Sequence, residues 1–332
     1  MLEIVTPSRL HFGLLSFGNR SAPKYGGCGV MIQRPALRLT LDPAEQFSAA
    51  GPTAGRIREF AQRWSQYHRQ DLPPVSIRAI QTPRQHVGLG LGTQLGLGVA
   101  TLLNCASQIQ ADSIAGLAAS VGRGARSAVG CYGFDQGGFI AERGMETPGQ
   151  LSPLEARMEF PAGWTFLLVF QSKRSGISGP AEVSAFRKLP PVPLEVTAQL
   201  KRFLYEELTP ALQDADFDRF ADGLFRYGEL AGNCFVQVQG GAYLNQLSKR
   251  TVDALQHFGV RGVGQSSWGP TIFALCKSKE QAAAARDYLS ETLADEALEM
   301  EITAADNQGA QLIADADCEW STAAENFGVT SG

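Results

Sequence analysis

The stretch HVGLGLGTQLGLGVA, residues 86–100, decides how this chain is read. Gly88, Gly90 and Gly92 alternate with Val87, Leu89 and Leu91, and Thr93 and Gln94 then open a run with helical spacing. Leu95, Val99, Leu102, Leu103 and Ala106 recur every three or four residues, the apolar stripe of an amphipathic helix. Just before them, VSIRAIQ (75–81) alternates as a strand does. A glycine-rich loop therefore leads from a strand into a helix N-terminus. Unpaired N–H groups and the positive end of the helix dipole favour an anion there, most often a phosphate. It is not a Walker A loop, because no lysine follows a glycine where that motif needs one. It also lacks the glycine spacing of a dinucleotide fingerprint. The residues alone leave open a second reading, a glycine turn that only lets a helix pack closely on a sheet.

Working outward, GRGARSAVGCYGFDQGG (122–138) carries six glycines and suggests a backbone making tight turns close to something. Arg123, Arg126, Ser127 and Asp135 give it cations, a hydroxyl and a carboxylate, a set suited to phosphate or equally to a long surface connection with an Arg–Asp pair. GVGQSSWGP (262–270) forms a third such turn, ahead of the apolar strand TIFALC (271–276). At the N-terminus, strands are expected at 2–6 and 9–17, interrupted by Pro7 and Ser8, with Arg9 and His11 on a polar face. Further strands are expected near 28–33 and 36–42, and Lys24 stands ahead of Gly26-Gly27, where it can reach a phosphate or, as is commoner, be a solvated surface lysine. Helices are expected at 55–69, at 112–121 with Asp112 or Ser113 as cap, and at 193–210, 214–232, 242–258 and 278–294. Strands at 138–142, 153–159, 164–171 and 298–304 complete the pattern, and an irregular tail begins at ADNQGA. Without sustained βαβα alternation, the class is α+β.

The 332 residues suggest two domains, with a boundary near 144–152, and are enough to bury roughly three quarters of the unfolded surface. A net charge of −4 leaves no basic excess for a nucleic-acid backbone and gives no reason to expect a membrane surface. Six scattered cysteines without a CxxC favour reduced thiols in a cytoplasm over disulfides or zinc. MLEIVTPSRLHFGLL does not read as a secretory signal, and no run of about 18 apolar residues exists to span a bilayer.

Three ordered glycine-rich loops, at about 88–94, 122–138 and 262–270, resemble the GHMP kinase superfamily. RLHFGLL (9–15), GLGTQ (90–94), GRGARSAVG (122–130) with Gly137-Gly138, and SSWGPT (266–271) narrow the likeness to the beta-ribofuranosylaminobenzene 5′-phosphate synthase family. That resemblance implies a GHMP-kinase-like α+β fold. An N-terminal domain like ribosomal protein S5 domain 2 would cover 1–150, and a ferredoxin-like C-terminal domain 151–332. It implies a transferase of tetrahydromethanopterin biosynthesis that joins phosphoribosyl pyrophosphate to 4-aminobenzoate or 4-hydroxybenzoate and releases carbon dioxide and pyrophosphate. Gly88, Gly90, Gly92, Thr93, Gln94 and Ser127 would hold phosphate. Arg9, His11, Gln265, Ser266, Ser267 and Trp268 would meet substrate. Asp135, Lys24 and Arg123 would be catalytic, with Mg2+ on Thr93 and Asp135. Small-molecule substrates and a homodimer are implied, without nucleic acid or membrane. The sequence departs from the family's pattern where an acidic residue normally follows the first motif: Ser16 stands there, and Lys24 stands near the place of an arginine. Alternatives are an ATP-dependent kinase of the superfamily, against which the Gln94 amide is expected to crowd the terminal phosphates, and a non-catalytic paralogue.

Overall fold

A computed structural model describes residues 1–19, 23–110, 113–147, 149–172, 184, 186, 188–315 and 320. The first sheet holds seven strands: β1 (Leu2–Ser16), β2 (Tyr25–Pro43), β3 (Ser48–Ala50), β4 (Val75–Gln81), β5 (Phe139–Glu142), β6 (Leu154–Met158) and the late β11 (Gln311–Ala314). Its main path runs β11-β1-β2-β4-β3. The long β2 pairs with β4 through residues 38–43 and with β5 through residues 27–30, and β6 extends β5. All these pairs are antiparallel except β3 with β4.

The expected break at Pro7 and Ser8 is a bulge inside one strand, because the β1–β2 register shifts between Thr6 and Ser8. The bulge has a consequence for side-chain direction. A strand alternates its faces residue by residue, and an irregularity in the pairing can exchange them. Ile4 and Thr6 lie under the helix that follows the glycine loop, against Gly98. Beyond the bulge the parity changes, so Arg9 faces the N-terminus of that same helix at Gly90 while Leu10 and Phe12 enter a second core. Likewise the strands expected at 28–33 and 36–42 are one strand, β2.

Helices α1 (Ala54–His68) and α2 (Leu91–Ala106) cover one face of this sheet. Ile57, Phe60, Ala61 and Trp64 of α1 pack on Leu95, Val99, Leu102 and Leu103 of α2, and Trp64 Nε1 donates to Asn104 Oδ1 at 2.7 Å. The short α3 (Ile114–Ser120) is capped by Ser113, whose hydroxyl accepts from Gly116 N; Asp112 lies outside the described residues. Residues 129–136, expected within an irregular glycine-rich segment, form helix α4 (Val129–Gln136).

The second sheet is fully antiparallel, in the order β10 (Leu298–Ala304), β7 (Thr165–Gln171), β9 (Ile272–Cys276), β8 (Gly262–Gln265). Its strand β8 takes up the first half of what the sequence suggests is only a turn. Helices α9 (Gln246–His257) and α10 (Lys279–Thr292) cover one face. The other face meets the first sheet through Phe12, Phe139, Phe160, Phe166 and Phe273. That shared core also takes α5 (Leu194–Arg202), a π-helical stretch (Phe203–Leu208), α6 (Thr209–Gln213) and α7 (Phe217–Asn233). A four-residue helix, α8 (Val236–Gln239), follows α7. The boundary expected at 150 falls between β5 and β6, two paired strands of one sheet. The irregular tail also corrects to a strand, since β11 pairs with Leu2–Val5 of β1. Among the described residues no helix is long and apolar enough to cross a membrane.

Candidate active site

The three glycine-rich segments converge. Loop 87–90, the Ser266–Gly269 turn between β8 and β9, and β1 are joined by hydrogen bonds. The His11 N–H donates to Ser266 Oγ (3.1 Å), whose hydroxyl donates to the Gly88 carbonyl (2.8 Å). The Ser267 N–H donates to the His11 carbonyl (3.1 Å), and the Thr271 hydroxyl donates to the Val87 carbonyl (2.7 Å). Segment 122–127 closes the ring, and Gly228, Ala231 and Gly232 of α7 form the far wall. Between them lies a cavity of about 590 Å³.

One wall is cationic. Arg9, Arg56, Arg84, Arg123 and Arg126 line the cavity, and among its described lining residues there is no Asp or Glu. Arg84 pairs with Glu299. Deeper in, Arg123 donates to Thr93 Oγ1 (3.2 Å) at the first turn of α2, and Arg9 donates to Ser267 Oγ (2.9 Å). Burial holds the Arg123 guanidinium below its ordinary range, and repulsion from Arg56 and, less strongly, Arg126 and Arg63 adds to this. Burial does the same to Arg56. Gly92 is needed for close approach here: a Cβ would lie 2.7 Å from an Arg56 nitrogen and 3.0 Å from an Arg123 nitrogen. Guanidiniums crowded at a helix N-terminus suit an anion of several charges.

The opposite end is aromatic. Trp268 stacks on Phe186 (centroids 4.7 Å apart, 6° between planes), and Phe235 meets Trp268 edge-on at 5.1 Å. Arg126 lies over the Phe186 ring at 5.1 Å. Tyr243, Gln239 and Gln265 border this end; Gln265 Nε2 donates to Gln239 Oε1 and to the Ser267 carbonyl, both at 3.1 Å. A flat apolar ligand fits such a wall.

Between the two ends sits a buried polar chain. His11 Nε2 is 3.2 Å from Ser127 Oγ, and the Ser127 hydroxyl donates to Glu142 Oε1 at 2.7 Å. The other oxygen, Oε2, accepts the Ala128 N–H at 2.9 Å, and the Val129 N–H donates to Ser127 Oγ at 3.3 Å. Burial pushes the Glu142 carboxyl up, against the lowering effect of its bonds from Ser127, Ala128, Ser152 and Val129. Burial, then the nearby Arg9 charge, hold His11 well below its ordinary value, so it is a neutral imidazole at pH 7.

Arg9, His11, Gly88, Gly90, Gly92, Thr93, Arg123, Ser127, Gln265, Ser267 and Trp268 all line the cavity. Four residues do not. Asp135 is exposed near the C-terminal end of α4, where Gln136 donates to it, and lies outside the cavity lining. Lys24 is exposed, bridged through its backbone to Met145. Ser266 is buried and secures the two loops rather than facing the cavity. Gln94 is 1% exposed and donates to the Gly130 carbonyl at 2.8 Å, so its amide fastens α2 to α4 and cannot crowd a phosphate. The expected metal pair is therefore not formed: Thr93 faces Arg123, and Asp135 is elsewhere. Among the described residues no cluster of three or more His, Cys, Asp or Glu has metal-binding geometry. The described residues of the cavity wall do not fit a protein-held Mg2+, which usually takes one or two carboxylates. The sequence reading missed Glu142, Arg56 and Arg84. An acidic residue in the strand FIAE, straight after Gly137-Gly138, was the available signal for the first.

The family model for the C-terminal part of the GHMP kinases matches residues 208–295, which run from the end of the π-helical stretch through α10. The chain has the GHMP kinase fold. Mevalonate diphosphate decarboxylase from Staphylococcus aureus superposes with a TM-score of 0.66, covering 95% of this chain and 99% of its own at 15% identity. Homoserine kinase from Cytophaga hutchinsonii does so with a TM-score of 0.64, covering 94% and 96% at 14% identity. In sequence, this GHMP-fold chain is similar to proteins named beta-ribofuranosylphenol 5′-phosphate synthase. The one from Archaeoglobus fulgidus is 29% identical over 88% of this chain and 93% of its own length. The one from Methanothermobacter thermautotrophicus is 27% identical over 84% and 89%. The likeness carried by the four motifs thus extends along most of the chain.

Proposed function

We propose that this protein is a decarboxylating transferase that condenses phosphoribosyl pyrophosphate with a para-substituted benzoate, releasing carbon dioxide and pyrophosphate. The observation that carries the reading is the polarity of one cavity. Arginines and a glycine loop occupy one end and stacked aromatics the other, in a chain whose relatives are named as synthases of a ribofuranosyl-phenol phosphate. The relatives' name carries a phenol, so 4-hydroxybenzoate is the proposed acceptor and 4-aminobenzoate the comparison.

The residues suit that chemistry. Breaking the bond from C1 of the ribose to the diphosphate puts negative charge on the leaving group. Arg9, Arg56 and Arg123 offer fixed donors where that charge develops. The ring carbon bearing the carboxylate attacks C1, and loss of carbon dioxide restores aromaticity. Among the described lining residues there is no carboxylate placed to ligate a nucleotide's Mg2+ or to act as base beside a substrate hydroxyl, both of which phosphoryl transfer generally uses. The transferase reading therefore ranks above the kinase, on different grounds from the bulk of Gln94.

The test uses carboxyl-labelled 4-hydroxybenzoate and, separately, 4-aminobenzoate, each with phosphoribosyl pyrophosphate. Release of labelled carbon dioxide with equimolar pyrophosphate is expected from the hydroxy acid; no release with either acid from folded protein refutes the reading, and formation of ADP from ATP with an alcohol favours the kinase. In the same assay Asp135→Ala is expected to keep turnover within about twofold of the parent, as a surface substitution should. A loss of a hundredfold or so would return that carboxylate to the site.

A further inference from the structure

The polar chain between the two ends of the cavity has a direction. Ser127 has one proton and gives it to Glu142, while its oxygen already accepts from Val129 N–H. The bond between Ser127 Oγ and His11 Nε2 must then be donated by the histidine. This leaves Nδ1, with no hydrogen-bond partner among the described residues, as a lone-pair acceptor on a ring that lines the cavity. His11 stands two residues along the same face of β1 from Arg9, on the side toward α7, which places it between the cationic end and the far wall.

We propose that His11, Ser127 and Glu142 form a proton relay in which His11 Nδ1 accepts the hydroxyl proton of a phenolic acceptor. The inference rests on the transferase reading above. As Nδ1 takes the phenolic proton, the Nε2 proton passes to Ser127 Oγ and the Ser127 proton passes to Glu142. The O–H electron pair moves into the ring, and the ring carbon para to the oxygen forms its bond to C1 of the ribose as the bond to pyrophosphate breaks. The carbon–carboxylate bond then breaks, its electrons return through the ring to the oxygen, and the relay runs backward to restore the phenol. No proton is gained or lost overall. The same burial that makes an imidazolium costly beside Arg9 makes a protonated Glu142 acceptable, so the proton comes to rest on the carboxylate and His11 only changes tautomer. His11 is the catalytic base; Ser127 and Glu142 are positioning residues.

Two measurements decide the matter. The first compares 4-hydroxybenzoate with 3,5-difluoro-4-hydroxybenzoate, whose more acidic phenol is ionised at the assay pH and has no proton to remove. His11→Gln, Ser127→Ala and Glu142→Gln are each expected to lose at least about a hundredfold in kcat/KM with 4-hydroxybenzoate. With the ionised acceptor each loss should shrink to less than about tenfold. An equal loss with both acceptors, or none with either, overturns the relay. The second is ¹⁵N NMR of His11 and needs no turnover. Wild-type protein is expected to carry the ring proton on Nε2. In Glu142→Gln the amide oxygen must stay on the Ala128 N–H and the NH2 group must face Ser127. That reverses the chain of donors and moves the His11 proton to Nδ1. A wild-type proton on Nδ1, or a tautomer unchanged in the variant, refutes the proposal. If wild-type protein turns over neither acid, the transferase reading fails by itself while the tautomer experiment still judges the relay's direction.

Discussion

Gly269→Ala is expected to lower kcat/KM for phosphoribosyl pyrophosphate by about a hundredfold and to destabilise the fold by about 3 kcal/mol. The cause is the contact between two loops. A Cβ at Gly269 would lie 2.0 Å from the Val87 carbonyl oxygen, 2.2 Å from its carbon and 2.4 Å from the Gly88 nitrogen. All three are backbone atoms, so no side chain can swing aside. Gly88 meets the same obstacle from the other direction, with a Cβ there 2.3 Å from the Ser266 carbonyl oxygen. The loops must separate by about an ångström or more, which carries Gly88–Gly90 away from Arg9 and Arg123, and misplacement on that scale costs about two orders of magnitude in rate. Gly241→Ala is the control, because nothing lies within 4 Å of a Cβ at that position. Thermal unfolding and steady-state kinetics of the two variants check the result. Equal behaviour would mean that the contact between the loops is unimportant.

Arg123→Met is expected to separate activity from stability. The guanidinium is buried and repelled by Arg56, Arg126 and Arg63, which offsets its bond to Thr93 Oγ1 and its place over the Phe60 ring. Replacing it by an apolar side chain of similar length should leave the unliganded melting temperature unchanged or raise it. The loss appears when the anion arrives. Removing one preorganised donor to developing charge costs about 10²–10³-fold in kcat. Pyrophosphate at about a hundred times Kd should stabilise the parent by about 2.7 kcal/mol, and most of that should vanish in the variant at the same concentration. Calorimetry with and without pyrophosphate reads both halves. An unliganded protein that melts several degrees lower, with ligand stabilisation intact, would make Arg123 a structural residue only.

The convergence of the three loops was legible because glycine density marks backbone that must come close to something, as Gly88, Gly92 and Gly269 all do. Half of the second loop was not legible as helix, because two of the eight residues 129–136, Gly130 and Gly133, are glycine, whose helix propensity is among the lowest. Packing overrides this: a Cβ at Gly133 would lie 2.2 Å from the Met31 sulfur, so α4 can sit on β2 only with glycine there. Asp135 drew notice as a carboxylate near arginines in sequence, yet once that segment winds into α4 it lies outside the cavity lining. Glu142 had no such neighbours. It is the last residue of a buried four-residue strand, and only the pairing of β5 with β2 brings it under Ser127. The parity change at Pro7 was visible as a break but not as a device for turning Arg9 and His11 toward α2.

A cavity end lined by Arg9, Arg56, Arg84, Arg123 and Arg126 is never electrically bare in water. When the cavity is vacant it draws in chloride, phosphate or whatever small anion the solution offers, and substrate must displace these counterions. Capture should therefore slow as ionic strength rises, as screening requires. Sulfate and inorganic phosphate should act as simple competitors, so buffer composition sets the apparent KM as firmly as any single residue does.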